Sequence, residues 1–271
     1  MFEVILENKI AHIRLKDPKR RNALGKKFWM EFPGTVRELG NSGEYRAIVI
    51  SGAGKDFCSG IDLDIFSDPG LLSTVSARAR DRLRTVVLGL QECLDVLTRV
   101  RIPVIAAVQG ACVGAGLDLV SACDIRYATG SAYFVIHEIN LGIMADLGTL
   151  QRLPGKMPEG VVRELAFTGE KLSAGRAYEL GFVNAVLDTD EQVVDKAMQT
   201  AALIASKAPL PVSHSKDCLN FRAEHSLADS LEFVASRQAF MLDPAEIYLA
   251  LGSESADYDD LHPVWPGFEK D

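Results

Sequence analysis

The 271-residue chain lacks any apolar run of the roughly 20 residues that a membrane helix needs, because Asp, Arg or Glu breaks every candidate. Its five cysteines, Cys58, Cys93, Cys112, Cys123 and Cys218, form an odd set without a C-x-x-C pair. That pattern argues against a disulfide framework and a zinc site, and reads as reduced thiols. Glycine (22) and proline (11) are near ordinary usage and no low-complexity tract occurs, so collagen-like, Pro-rich and disordered classes fall away. Positive charge is scarce: 29 basic residues stand against 37 acidic ones, and the net charge of −8 repels a phosphate backbone. Neither nucleic acid nor a membrane is an expected partner.

Catalytic signatures are missing too. Gly110, Gly114 and Gly116 are spaced G-x-x-x-G-x-G, not G-x-G-x-x-G, and Gly54-Lys55-Asp56 lacks the upstream glycine and the hydroxyl of a P-loop. Without a G-x-S-x-G elbow, Ser59 or Cys58 as nucleophile with His12 or His137 as base has no supporting motif. The five histidines lack metal-ligand spacing, so no metal is expected, and His137 reads as a strand-edge residue. Because Phe2-Glu3-Val4-Ile5-Leu6-Glu7 already reads as a strand and Glu269-Lys270-Asp271 is no peroxisomal tripeptide, the expected address is the cytoplasm.

What is present is a chain 48% hydrophobic and 24% charged, enough to bury a sizeable core. Residues 2–7 and 10–15 read as a hairpin about Asn8-Lys9, with a helix over 25–39. Ala47-Ile48-Val49-Ile50 and Val104-Ile105-Ala106-Ala107-Val108 read as buried strands, each running into a glycine-rich loop. Between them, Leu83, Val87, Leu90, Leu94 and Leu97 lay one stripe along a helix over 73–99. A helix over 116–122, strands over 124–128 and 132–136, a helix over 174–180 capped by Ser173, and a strand over 182–186 follow. From 190 the pattern is helical, with a capping-box-like start at Ser226 and an apolar face of Leu227, Leu231 and Val234. The expected organisation is an α/β core over 1–190 and a helical C-terminal region with an acidic tail over 191–271.

Two loops could each offer a free backbone N–H to a small ligand, Cys58-Ser59-Gly60-Ile61-Asp62-Leu63 and Gly114-Ala115-Gly116. Two such amides, one at a helix N-terminus, are what an acyl oxygen needs as it takes negative charge, although singly either loop reads as a tight turn. Three carboxylates stand in apolar company, Asp118 between Leu117 and Leu119, Glu138 between His137 and Ile139, and Asp146 between Ala145 and Leu147. Taken singly, each also reads as a solvated helix-face or capping acid. Asp62, Asp64 and Asp124 read as structural.

At these residues the chain resembles the enoyl-CoA hydratase/isomerase (crotonase) family. The stretches that carry the resemblance are Ile48 to Gly52 with Phe57 to Leu63, Pro103 to Gly110 with Gly114 to Gly116, and Ala122 to Arg126. Phe134 to Gly142, Leu172 to Ala174 through Gly181 to Val183, and Asn22-Ala23-Leu24 add to it. The resemblance implies a crotonase (ClpP-like) fold of stacked ββα units with a helical oligomerisation region, giving a homotrimer or a dimer of trimers. It implies an acyl-CoA thioester substrate, with Ser59, Gly60, Ile61, Asp62, Leu63 and Ala115 along its path and the N–H groups of Ile61 and Ala115 as the oxyanion hole. No cofactor is implied, since CoA is part of the substrate.

Hydratases of the family place glutamates at the positions matching Asp118 and Glu138 and glycine at the position matching Asp146. Asp, Glu and Asp, with Glu138 twenty positions after Asp118 and Asp146 eight after Glu138, look like the dienoyl-CoA isomerase branch. Moving a 3,5-diene to 2,4 removes a proton at carbon 2 and adds one at carbon 6. Glu138 as base and Asp146 as acid would divide that work, with Asp118 raising a neighbour's proton affinity. The basic stretch Lys16, Lys19, Arg20, Arg21, Lys26 and Lys27 would meet the CoA phosphates. Hydration or a single double-bond shift are the near alternatives; a catalytically silent acyl-CoA-binding or scaffold protein is the distant one.

Overall fold

The computed structural model describes residues 2–67, 75–252 and 256–263. Residues 73–74 of the expected long helix, 253–255 and 264–271 of the acidic tail lie outside the described residues. In chain order the strands are β1 (Phe2–Glu7), β2 (Ile10–Leu15), β3 (Ala47–Gly52), β4 (Val104–Val108), β5 (Ala111–Val113), β6 (Ile125–Thr129), β7 (Tyr133–Val135), β8 (Leu172–Ser173) and β9 (Ala185–Leu187). The helices are α1 (Lys26–Asn41), α2 (Ala77–Arg99), α3 (Ala115–Ala122), α4 (Thr149–Arg152), α5 (Glu159–Thr168), α6 (Ala174–Glu179), α7 (Asp190–Ala205), α8 (Pro209–Arg222), α9 (Leu227–Met241) and α10 (Pro244–Gly252).

Six strands form one sheet in the order β1-β2-β3-β4-β6-β9, antiparallel only between β1 and β2. The hairpin closes through Asn8 and Lys9, both left-handed at φ 49° and 62°, as a two-residue turn between right-twisting strands requires. Residues 47–50 of β3 and the whole of β4 are apolar and buried because both sheet faces are covered. Ile48, Ile50, Val104, Ala106 and Val108 join the main core with α1, α2 and α3, whereas Ala47, Val49, Ile105 and Ala107 meet Val193, Ala197 and Ala201 of α7. The helix expected to open the C-terminal region thus lies across the main sheet.

A second sheet, β5-β7-β8, holds the glycine loops in register. Its first strand lies inside what reads as a loop in the sequence. Ala111, Cys112 and Val113 pair with Tyr133, Phe134 and Val135, while Cys58 bridges Cys112. The 182–186 strand is displaced: Phe182 and Val183 turn inward as core residues and pairing begins at Ala185. In α2 the stripe is buried only at Leu94 and Leu97, with Leu83, Val87 and Leu90 half-buried where the helix extends past the core.

Two ionic clasps hold the C-terminal half. Lys216 of α8, buried, donates to the carbonyls of Leu97 and Ile102 and to Asp124, which also accepts the Val104 N–H at the start of β4. The acidic tail returns to the core: buried Arg46 binds Asp260 and the carbonyls of Tyr258, Asp259 and Lys207, and Leu261 is buried beside it. Leu227, Leu231 and Val234 of α9 remain exposed. All five cysteines are free thiols.

Candidate active site

The two glycine loops meet. Cys58 donates to Ala111 and accepts from Val113, which sets Gly60 against the end of β5. A β-carbon on Gly60 would lie 3.0 Å from the Val113 carbonyl oxygen and 3.7 Å from the Ala115 nitrogen, so only glycine lets these strands of chain approach. One residue on, Leu24 donates to the Gly60 carbonyl and accepts from the Asp62 N–H. That parallel bridge turns the N–H of Ile61 away from Leu24, and it donates to nothing else among the described residues. Ala115 is the first residue of α3, where backbone N–H groups have no partner within the helix, and its N–H is also free among the described residues.

Glu138 sits against the same place. It opens a short 3-10 turn, Glu138–Leu141, and a β-carbon on Gly114 would come within 3.1 Å of its Oε1. Gly114 itself has φ +53°, a conformation side chains disfavour. Burial pushes the Glu138 carboxyl upward, opposed by its own and the His137 backbone N–H and reinforced by the charge of Asp146.

Asp118 follows one helical turn after Ala115 and is wholly buried. Its Oδ1 accepts the Thr149 N–H at 2.7 Å, while its Oδ2 and the Thr149 hydroxyl are buried with no hydrogen-bond partner. Burial pushes the carboxyl up to about 7; Thr149 and Arg152 pull it back and Glu138 adds to the rise. Asp146 is half-buried between buried Ala145 and Leu147, and burial raises it against its own N–H. Charge interactions link the three carboxylates pairwise, Asp118 with Glu138 and Glu138 with Asp146, and Glu138 lies against Gly114, next to the Ala115 amide. Like-charge repulsion couples Glu138 to both neighbours, to Asp118, whose carboxyl carries that rise, and to Asp146, which adds to the rise on Glu138.

The remaining expected residues are placed around these loops. Ser59 donates its N–H to Arg21; Asp62 is buried and accepts from Arg20 and from the Asp64 N–H; Leu63 is exposed. The basic stretch is mostly paired within the chain, Lys16 with Glu3, Arg20 with Asp62 and Asp64, Arg21 with Asp56, and Lys27 with Glu31. Lys19 and Lys26 alone of the six make no ion pair among the described residues. His12 bonds the Ser51 hydroxyl at 2.7 Å, and burial pushes the Cys58 thiol up to about 12, so neither takes part in a nucleophile–base pair with the other. His137 is not at a strand edge: it precedes the 3-10 turn and faces Asn140.

Sequence reasoning missed Gln91, Thr149 and Arg152. Gln91 donates to the Asp146 carbonyl, and Arg152 to that of Leu147. The available signal was a polar pair, Gln91 and Asp95, set four apart beside the α2 stripe.

Residues 6–247 match a family profile described as enoyl-CoA hydratase/isomerase. The chain is 42% identical over 243 residues to a human protein named Delta(3,5)-Delta(2,4)-dienoyl-CoA isomerase, mitochondrial, covering 88% of this chain and 74% of that one. It is 37% identical over 262 residues to a peroxisomal protein of the same name from Arabidopsis thaliana, covering 93% of each. Among solved structures, an enoyl-CoA hydratase from Polaromonas superposes with a TM-score of 0.85 at 27% identity, covering 95% of this chain and 99% of that one.

Proposed function

Because the chain belongs to the enoyl-CoA hydratase/isomerase family and carries its crotonase fold, we propose that it isomerises 3,5-dienoyl-CoA to 2,4-dienoyl-CoA. The thioester oxygen accepts hydrogen bonds from the Ile61 and Ala115 N–H groups. Glu138 takes the proton from carbon 2, and the electron pair of the broken C–H bond spreads into a dienolate. Asp146 delivers a proton to carbon 6, which leaves double bonds at 2 and 4 and restores the carbonyl. Proton exchange with solvent then resets the two acids. The steps are redox-neutral and the thioester supplies the acidity, so the chemistry calls for no metal and no further cofactor.

The observation that supports this reading most is the third carboxylate: Asp146 stands close enough to Glu138 to raise its proton affinity. A carboxyl whose proton affinity burial raises is suited to give a proton, which a glycine at that position could not do. An acid or base of this kind contributes about 10²–10⁴ in rate and an oxyanion donor about 10²–10³, so both sets are needed. The exposed apolar face of α9 supports assembly as a homotrimer or dimer of trimers. The cytoplasmic address stays a proposal beside relatives named for the mitochondrion and the peroxisome.

Purified protein incubated with a 3,5-dienoyl-CoA should raise the ultraviolet absorbance of a conjugated 2,4-dienoyl thioester. Loss of absorbance from a 2-enoyl-CoA, with no diene formed from the 3,5 substrate, would establish hydration in its place. No change with either substrate would leave a binding or scaffold role.

A further inference from the structure

The segment that carries Asp146 has little backbone support of its own. Among the described residues, the N–H groups of residues 144–148 donate no backbone-to-backbone hydrogen bond. What holds the segment comes from side chains of neighbouring helices. Gln91 of α2 donates its Nε2 to the Asp146 carbonyl at 2.6 Å. Arg152 of α4 donates to the Leu147 carbonyl at 3.1 Å and is itself paired with Asp95, one turn beyond Gln91 on α2. Gly148, at φ +114°, lets the chain lie flat on that guanidinium: a β-carbon there would fall 2.1 Å from Nη1. Next in line, the Thr149 N–H binds Asp118. Three consecutive residues after Asp146 therefore tie its position to Asp118, and one helix face fixes the tie.

Glu138 is held differently, by its own 3-10 turn against Gly114, with no bond to α2 among the described residues. We propose that Gln91 and Asp95 are positioning residues that set the reach of Asp146, and so govern delivery of the proton to carbon 6 without governing its removal from carbon 2. This rests on the isomerase reading above. Displacing a reacting group by about 1 Å can reduce a rate on the order of a hundredfold, and here the loss falls on one of two proton transfers.

The test uses the whole protein in deuterium oxide with a 3,5-dienoyl-CoA, following deuterium entry at carbon 2 of recovered substrate and formation of the 2,4-diene. For Gln91→Met, isomerisation should fall by roughly tenfold to a hundredfold. Carbon-2 exchange should stay within about twofold, so the ratio of exchange to isomerisation rises. Asp95→Asn, which leaves Gln91 in place, should move the ratio in the same direction by less. A merely structural role would lower both rates together and depress the thermal midpoint. Parallel loss of both rates in both variants, or an unchanged ratio, would overturn the proposal. Failure of the unmodified protein to form any 2,4-diene would overturn the isomerase reading itself, and this inference with it, before a variant is compared.

Discussion

Replacing Asp118 with asparagine should stabilise the fold above neutral pH while impairing the chemistry. The carboxyl's ordinary value is 3.8 and the folded chain holds it at about 7, chiefly by burial. Between those values the unfolded chain has released its proton and the folded chain keeps it, so stability falls as pH rises through this window. Below pH 3.8 the penalty is absent, and above 7 it is complete. Its full size is about 4 kcal/mol at 1.36 kcal/mol per pH unit. Asp118→Asn removes this term, keeps an oxygen for the Thr149 N–H, and puts an N–H donor where the unpaired Oδ2 now lies near the unpaired Thr149 hydroxyl. Urea unfolding at fixed protomer concentration should show the variant gaining on the native protein by about 3 kcal/mol between pH 5 and pH 8. Parallel stability curves across that range would refute the assignment of a buried, reluctantly ionised Asp118.

Two further outcomes follow from the same geometry. Ala115→Pro removes one oxyanion donor at the first position of α3, where proline fits a helix; kcat should fall about 10²–10³ while the far-ultraviolet spectrum stays unchanged. Retained kcat would remove the Ala115 amide from the account. Arg46→Ala strips the buried anchor from Asp260 and three carbonyls, with a loss of about 2 kcal/mol and faster proteolysis within 256–263. Unaltered cleavage would show that the tail is held by Leu261 and Lys9 instead.

Local pattern made the strands and most helices legible, because β3 and β4 are buried on both faces and α2 carries a continuous stripe. It could not reveal β5, three residues between Gly110 and Gly114 that become a strand only by pairing with β7. The shifted β9 has the same origin, since Phe182 and Val183 are apolar for packing and not for pairing. The ion pairs of Arg20 and Arg21 in the Lys16 to Lys27 stretch were not legible because their partners Asp56, Asp62 and Asp64 lie more than 30 positions away. Asp62 and Asp124 do serve structure, through Arg20 and Lys216. Choosing Asp118, Glu138 and Asp146 over other acids depended on family resemblance, because convergence of residues 20 and 8 positions apart is a tertiary fact. Gln91 and Arg152 escaped notice because they act on backbone carbonyls, which leave no mark in the identity of the residue they hold.

The division of labour between Glu138 and Asp146 is tested most directly by locating deuterium after turnover of a 3,5-dienoyl-CoA in deuterium oxide. The native protein should yield a 2,4-diene labelled at carbon 6, and Asp146→Asn should return 3,5 substrate labelled at carbon 2 with little diene. Formation of the 2,4-diene by Asp146→Asn at the native rate would contradict the account.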